Sequence, residues 1–188
     1  MKRDVTAIIP SIPPRAGMLV RAVASVTAQT APPAALSIAI DTQREGAPAT
    51  RDRALRAART TWVATLDDDD EWMPQHLERL LDCAEETGAD FVYSWYQLEP
   101  PGRDPLPHFG KPFDPANPIL TTIVTLVRTE LAQQVGYLKC TPDEVFMQED
   151  WMFVLGCVAA GAKIVHLPEH TWTWHHHGGN TSGRPDRW

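Results

Sequence analysis

Trp62-Val63-Ala64-Thr65-Leu66-Asp67-Asp68-Asp69-Asp70-Glu71-Trp72 sets a short, mostly apolar run directly against four consecutive aspartates. An amphipathic helix would space its polar residues three and four apart, so residues 62–66 read as a buried strand. The acidic run then stands at the carboxyl end of that strand. In open α/β sheets ligands bind at this end, because loops and helix N-termini converge there. This one junction therefore bears on both the fold and the site.

Toward the N-terminus, residues 5–10 form a second apolar run closed by Pro10, with a loop at 11–15. Met18, Leu19, Ala22, Val23 and Val26 fall on one helical face, and Pro32-Pro33 stops that helix. Residues 36–40 make a strand ending at Asp41, and the polar stretch 42–50 opens a helix carrying Arg51, Asp52, Arg53, Leu55 and Ala58. Strands alternating with helices imply right-handed crossovers, hence an α/β fold with a central, mostly parallel sheet flanked by helices.

Beyond the acidic run, Pro74 is expected to start a helix with Leu77, Leu80, Leu81 and Ala84 inward and Gly88 as its stop. A strand follows at 91–95. The proline-rich stretch 100–118 is expected to be a functional lid or a disordered insert. A strand at 119–127, a short helix capped by Thr129, a turn at Gly136-Tyr137, a helix at 149–160, a strand at 163–167 and a tail at 172–188 complete the chain. Residues 1–188 read as a single domain, with two halves at 1–95 and 96–188.

The 188 residues carry 17 Lys+Arg against 24 Asp+Glu, a net charge of −7, which argues against a general nucleic-acid binder. No apolar run approaches the roughly 20 residues that span a bilayer, and the start is unlike a signal peptide, so a cytoplasmic location is expected. Three scattered cysteines, Cys83, Cys140 and Cys157, indicate neither a disulfide framework nor a cysteine zinc site.

Alternate carboxylates such as Asp67 and Asp69 can point the same way and share a hard divalent cation, Mn²⁺ or Mg²⁺, with phosphate oxygens. Arg15 and Arg51 can add positive charge against a diphosphate. Glu149-Asp150 sits at a helix start, where the dipole is expected to keep Asp150 ionised, or where the pair merely caps the helix. Trp95, Tyr96, Trp151, Trp172 and Trp174 are candidates for stacking on the flat face of a ligand or for the core. In Trp174-His175-His176-His177, adjacent histidines cannot all face one ion.

Several stretches, taken in order, resemble a family 2 glycosyltransferase of the GT-A fold. They are Ala7-Ile8-Ile9-Pro10-Ser11, the lone Asp41, Gly46 through Thr50-Arg51-Asp52-Arg53-Ala54-Leu55, and the acidic junction above. Leu126-Val127-Arg128-Thr129-Glu130-Leu131, Val135-Gly136-Tyr137, Gln148-Glu149-Asp150-Trp151 and Gly161 to Pro168 agree. The resemblance implies inverting transfer of a hexosyl or N-acetylhexosaminyl group from a nucleotide-diphosphate donor, UDP-sugars first, to a hydroxyl on a glycan, protein or lipid-linked sugar.

It further implies that Pro10, Ser11, Ile12, Arg15, Asp41, Arg51, Asp67 and Asp68 line the nucleotide, and that Asp69 and Asp67 hold the metal. A register using Asp68 and Asp70 stays open. Asp150 becomes the general base, with Glu149, Trp151 and Trp95 toward the acceptor. His177 is placed as a third metal ligand or as a loop histidine touching phosphate or acceptor. Asn180-Thr181-Ser182-Gly183 is expected to close over the diphosphate. Asp41 followed by Thr42, Asp52 in place of an asparagine, and the short C-terminal end depart from the family pattern. Acceptor recognition is accordingly expected from 90–148 and the tail. The competing readings are a metal-dependent phosphohydrolase or nucleotidyltransferase, and a nucleotide-sugar or glycan-binding module without turnover.

Overall fold

Val5–Ser11 (β1) is buried at every position. Its apolar run lacks polar alternation because both faces are covered and both edges are paired. Ala35–Ile40 (β2) and Trp62–Thr65 (β3) flank it, each parallel to it. The structure, a computed structural model, describes residues 2–137 and 149–177. Cys140, Gln148 and the tail segment 178–188 lie outside the described residues.

The crossover helices are Ala16–Thr27 (α1), which turns Ala22 and Val26 inward, and Ala47–Ala57 (α2), which packs on β1 and β2. After β3 come the two-residue strand Glu71–Trp72 (β4) and His76–Thr87 (α3). α3 buries Leu77, Leu80, Leu81 and Ala84, the expected face. It stops at Gly88, whose φ of 67° is the left-handed value that glycine adopts without a Cβ clash. Pro74 lies in the turn before the helix, where the His76 N–H bonds the Met73 carbonyl at 3.0 Å.

Phe91–Glu99 (β5), Thr125–Arg128 (β6), Thr129–Val135 (α4), Glu149–Ala159 (α5) and Ile164–His175 (β7) complete the described order. The seven strands lie as β2-β1-β3-β6-β5-β7-β4. β6 runs antiparallel to both β3 and β5, β7 is parallel to β5, and β4 is antiparallel to β7. The sheet is mixed, but the two reversals at β6 cancel. β5 and β7 therefore point the same way as β1, and their carboxyl ends open on the same edge.

Three local expectations differ from the structure. β6 begins at Thr125 because side-chain hydroxyls take the place of ladder bonds before it. Thr122 Oγ1 donates to the Ser94 carbonyl at 2.9 Å, and Thr65 Oγ1 donates to the Ile123 carbonyl at 2.5 Å. β7 continues through the expected tail as far as His175. Its Pro168, which has no N–H to offer a ladder, falls where the β5–β7 register is irregular, between the Tyr93–His166 and Trp95–His170 pairs. Thr129 starts α4 without capping it, and its Oγ1 has no partner among the described residues.

The core gathers Trp62, Phe91, Tyr93, Trp95 and Leu126 around the sheet, and the described cysteines, Cys83 and Cys157, are buried free thiols. The proline-rich stretch 100–118 is packed onto β5 and β7 instead of forming a disordered insert. Asp104 accepts the Trp95 Nε1–H at 2.7 Å, the Leu106 N–H at 2.8 Å and the Tyr96 hydroxyl, while the Gly110 N–H donates to His166 Nε2 at 3.0 Å.

Candidate active site

β1 and β3 deliver Ser11 and the acidic run to one edge of the sheet. Ser11 Oγ donates to Asp68 at 2.7 Å, and Arg15 reaches Asp68 and Asp69 at 2.9 Å each. Arg15 hangs from the short 3-10 turn Pro13–Arg15, whose N–H at Arg15 bonds the Ile12 carbonyl at 3.0 Å. Pro10 is buried in β1 opposite Ala39. Asp68 is thus turned toward the loop after β1, fixing Ser11 and Arg15.

The other three aspartates converge. Carboxylate oxygens of Asp67, Asp69 and Asp70 all lie within 4.8 Å of one another. Three hard anionic oxygens at that spacing suit Mg²⁺ or Mn²⁺. The cluster takes in Asp67 and Asp69 from one of the two expected registers and Asp70 from the other. Burial, then the charge of Asp67, pushes the Asp69 carboxyl up to about 6. Burial followed by Asp67 and Asp69 holds Asp70 well above the ordinary carboxylate range. Such crowding favours either a proton or a cation.

The far strand also reaches the cluster. The His175 N–H donates to Asp70 at 2.9 Å, its Nε2 lies 2.7 Å from Glu71, and His177 Nε2 lies 3.4 Å from Asp69. The β4–β7 pairing of Glu71 with Thr173 and Trp72 with Trp172 sets this approach. His177 is therefore brought to the metal-candidate side, and His176 instead donates its N–H to the Glu99 carbonyl.

Arg51 joins the acidic run to α5. One terminal nitrogen is 2.9 Å from Asp67 and the other 3.1 Å from Glu149, with the guanidinium 5.4 Å from the centre of the Tyr137 ring. Arg51 is 4% exposed. Burial opposes its charge, but Asp67 and Glu149 outweigh that and keep it firmly protonated. Asp150 follows Glu149 in the first turn of α5 and accepts the Trp151 N–H at 2.8 Å. Burial, and then Glu149, raises the Asp150 carboxyl above its ordinary value, with Arg51 opposing. Desolvation by burial thus outweighs the charge of Arg51 and the bond from the Trp151 N–H.

Asp41 is 1% exposed, and its carboxylate accepts the N–H groups of Gln43 and Glu45 at 3.1 Å and of Gly46 at 2.8 Å. Burial raises its titration, but these backbone donors win and hold it below the usual range. Asp41 thus orders the loop that launches α2, in which Gly46 adopts φ 91°. Asp52 accepts the Tyr137 N–H at 3.2 Å and both Arg56 contacts, which accounts for an acid at that position.

Trp95 is a correction. It is fully buried, stacked on Tyr96 with its N–H on Asp104, and offers no face to an acceptor. Tyr96 and Trp172 are buried too, whereas Trp151 and Trp174 are half-buried. Sequence reasoning missed Tyr137, Arg21 and Asp104. Tyr137 gave only a turn signal, and Arg21, which donates to the Asp69 carbonyl at 3.1 Å, looks like any surface arginine of a helix.

Comparison places this geometry among known proteins. S. aureus TarS 1-349 superposes with a TM-score of 0.74 at 16% identity, over 92% of this chain and 60% of that one. Its complex with UDP gives 0.74 at 15% identity, over 94% and 61%, and its complex with UDP-GlcNAc gives 0.72 at 15%, over 96% and 61%. This chain thus spans about three fifths of the TarS chain it matches. The likeness is one of fold. No curated protein matches the sequence. Among the described residues, no helix is long and apolar enough to cross a membrane. Residues 36–126 match the model of glycosyl transferase family 2, which takes in the β2 end, α2 and the acidic run. Residues 36–126 are thus similar to glycosyl transferase family 2, within a chain that has the GT-A fold.

Proposed function

We propose that this protein transfers a sugar, with inversion, from a nucleoside diphosphate to a hydroxyl acceptor. The observation that carries the reading is the placement of the Asp67–Asp69–Asp70 cluster and the Asp150-bearing helix start on either side of one arginine. TarS forms complexes with UDP and with UDP-GlcNAc, which supports a UDP-sugar as the donor here.

In this reading Asp67, Asp69 and Asp70 hold Mn²⁺ or Mg²⁺, with His177 beside Asp69. When bound, the ion supplies positive charge against the donor's diphosphate. Residues up to 95 take the donor and later residues the acceptor. Asp150 removes the acceptor's hydroxyl proton as that oxygen forms its bond to the anomeric carbon. The bond from that carbon to the diphosphate breaks, and the electron pair leaves with the nucleoside diphosphate. A carboxylate whose titration is raised by burial is a stronger base than one in water. Trp151, half-buried beside the base, is the aromatic face for the acceptor sugar.

Release of UDP from UDP-sugars in the presence of Mn²⁺ tests this. Turnover that disappears in Asp150→Asn while UDP still binds supports the assignment. Tight binding of UDP-sugars with no turnover on any acceptor or on water assigns the chain to the binding-module class instead.

A further inference from the structure

We propose that Arg51 is a positioning residue, a strut that sets the spacing between the metal-candidate aspartates and the base-bearing turn of α5, and not a ligand of the nucleotide. The inference rests on the reading of Asp150 as the base.

The two termini of the guanidinium point to carboxylates on different elements. Asp67 follows β3, and Glu149 opens α5, 98 residues along the chain from Arg51. Glu149 is 8% exposed, so water competes little for this contact. The guanidinium fork is planar and can bridge two carboxylates at once; an ammonium is a single point charge. The distance from Asp67 to the first turn of α5 is therefore set by the width of one rigid group.

The face of the guanidinium is occupied as well. Tyr137 lies against it, donates its backbone N–H to Asp52 of α2, and stacks on Phe153 of α5 with ring centres 4.3 Å apart at 19°. Arg51 and Asp52, neighbours on α2, thus hold the first two turns of α5 by two routes: an ion pair to Glu149 and an aromatic stack of Tyr137 on Phe153. An arginine whose ends and face meet protein is poorly placed to neutralise a diphosphate. Arg15, 13% exposed and beside Asp68 and Asp69, is better placed for that.

The experiment compares Arg51→Lys, Arg51→Gln, Glu149→Gln and the double variant Arg51→Lys/Glu149→Gln. Each is measured for UDP binding with Mn²⁺, for kcat and donor KM in UDP release, and for amide exchange over 149–153. A misplacement of about 1 Å at a catalytic group costs about 100-fold in rate. Arg51→Lys and Glu149→Gln should each lower kcat about 10- to 100-fold, leave UDP affinity within about twofold and speed exchange at the start of α5. The double variant should be no slower than Arg51→Lys, because both changes cut the same link. A merely structural role would be rescued by neither variant and would lower the fraction of protein that binds UDP.

Arg51→Lys with wild-type kcat overturns the proposal. So does Arg51→Gln with UDP affinity lost about tenfold or more, Arg51→Lys restoring it, and kcat kept at saturating donor. If wild-type protein shows no turnover, the enzymatic reading fails separately. Exchange at 149–153 then decides the strut: faster exchange in Glu149→Gln upholds the link to α5, and unchanged exchange refutes it.

Discussion

Asp70 accepts the backbone N–H of His175 at 2.9 Å, across 105 residues of chain. The end of β7 is thereby pinned to the acidic run, with His177, two residues beyond it, beside Asp69. This contact uses one oxygen of a carboxylate already crowded by Asp67 and Asp69. The crowding is a cost to the ligand-free fold, and it is what makes the position receptive to a cation.

Metal addition should therefore stabilise the protein. A divalent ion at 100 times its Kd contributes about 2.7 kcal/mol, roughly a 5–10 °C rise in Tm for a domain of this size. In Asp70→Asn the amide oxygen still accepts from His175, but a charge is lost. The metal-free variant should be more stable than wild type by roughly 1 kcal/mol, about 2–4 °C in Tm, and the Mn²⁺ shift should shrink. Thermal melts with Mn²⁺ and with chelator check both arms.

Asp150→Asn should reduce kcat by about 100- to 10,000-fold, the span of general-base contributions. The nucleotide edge is built from other residues, so the Kd for UDP with Mn²⁺ should stay near wild type. Calorimetric titration alongside initial rates separates the two.

The sequence placed much of this site in advance, for reasons visible in particular residues. Pro10, Asp41 and Leu66 each end an apolar run, and local chain chemistry sufficed to put them at one sheet edge. Tyr137, by contrast, matters because Asp52 and Phe153 meet it from two helices, and nothing near it in the chain announces that. Trp95 looked available because a strand aromatic next to Tyr96 suits a sugar face; Asp104, from a loop expected to be a lid or disordered, buries it. β6 shortened because Thr65 and Thr122 bond backbone carbonyls, a choice that depends on which strand lies alongside.

His76 should make the fold acid-sensitive. It is fully buried, bonds Thr171 Oγ1 at 2.7 Å and stacks on Trp72 at 4.7 Å. Burial brings it down to about 3 from 6.5. With the folded value depressed, the unfolded chain binds the extra proton first. Its contribution is thus complete above pH 6.5 and falls as pH drops toward 3, by up to about 1.4 kcal/mol per unit. Denaturant unfolding from pH 7 to 4 should show a shallower decline in His76→Leu than in wild type.

Gly156→Ala should be destabilising although alanine favours helices. The added Cβ would lie 2.4 Å from Cγ1 of Val135, a short branched side chain that is itself buried. Overpacking of this kind costs about 1–3 kcal/mol. Pairing it with Val135→Ala should recover part of the loss, a non-additivity that denaturant midpoints would reveal.

The account's central claim is that the acidic run grips a cation that in turn holds a donor's diphosphate. Anomalous diffraction from crystals grown with Mn²⁺ and UDP tests it most directly. The account predicts one manganese peak among Asp67, Asp69 and Asp70, touching the diphosphate, with Asp150 across the same edge. UDP bound away from these carboxylates, or manganese bound elsewhere while they face bulk solvent, would contradict it.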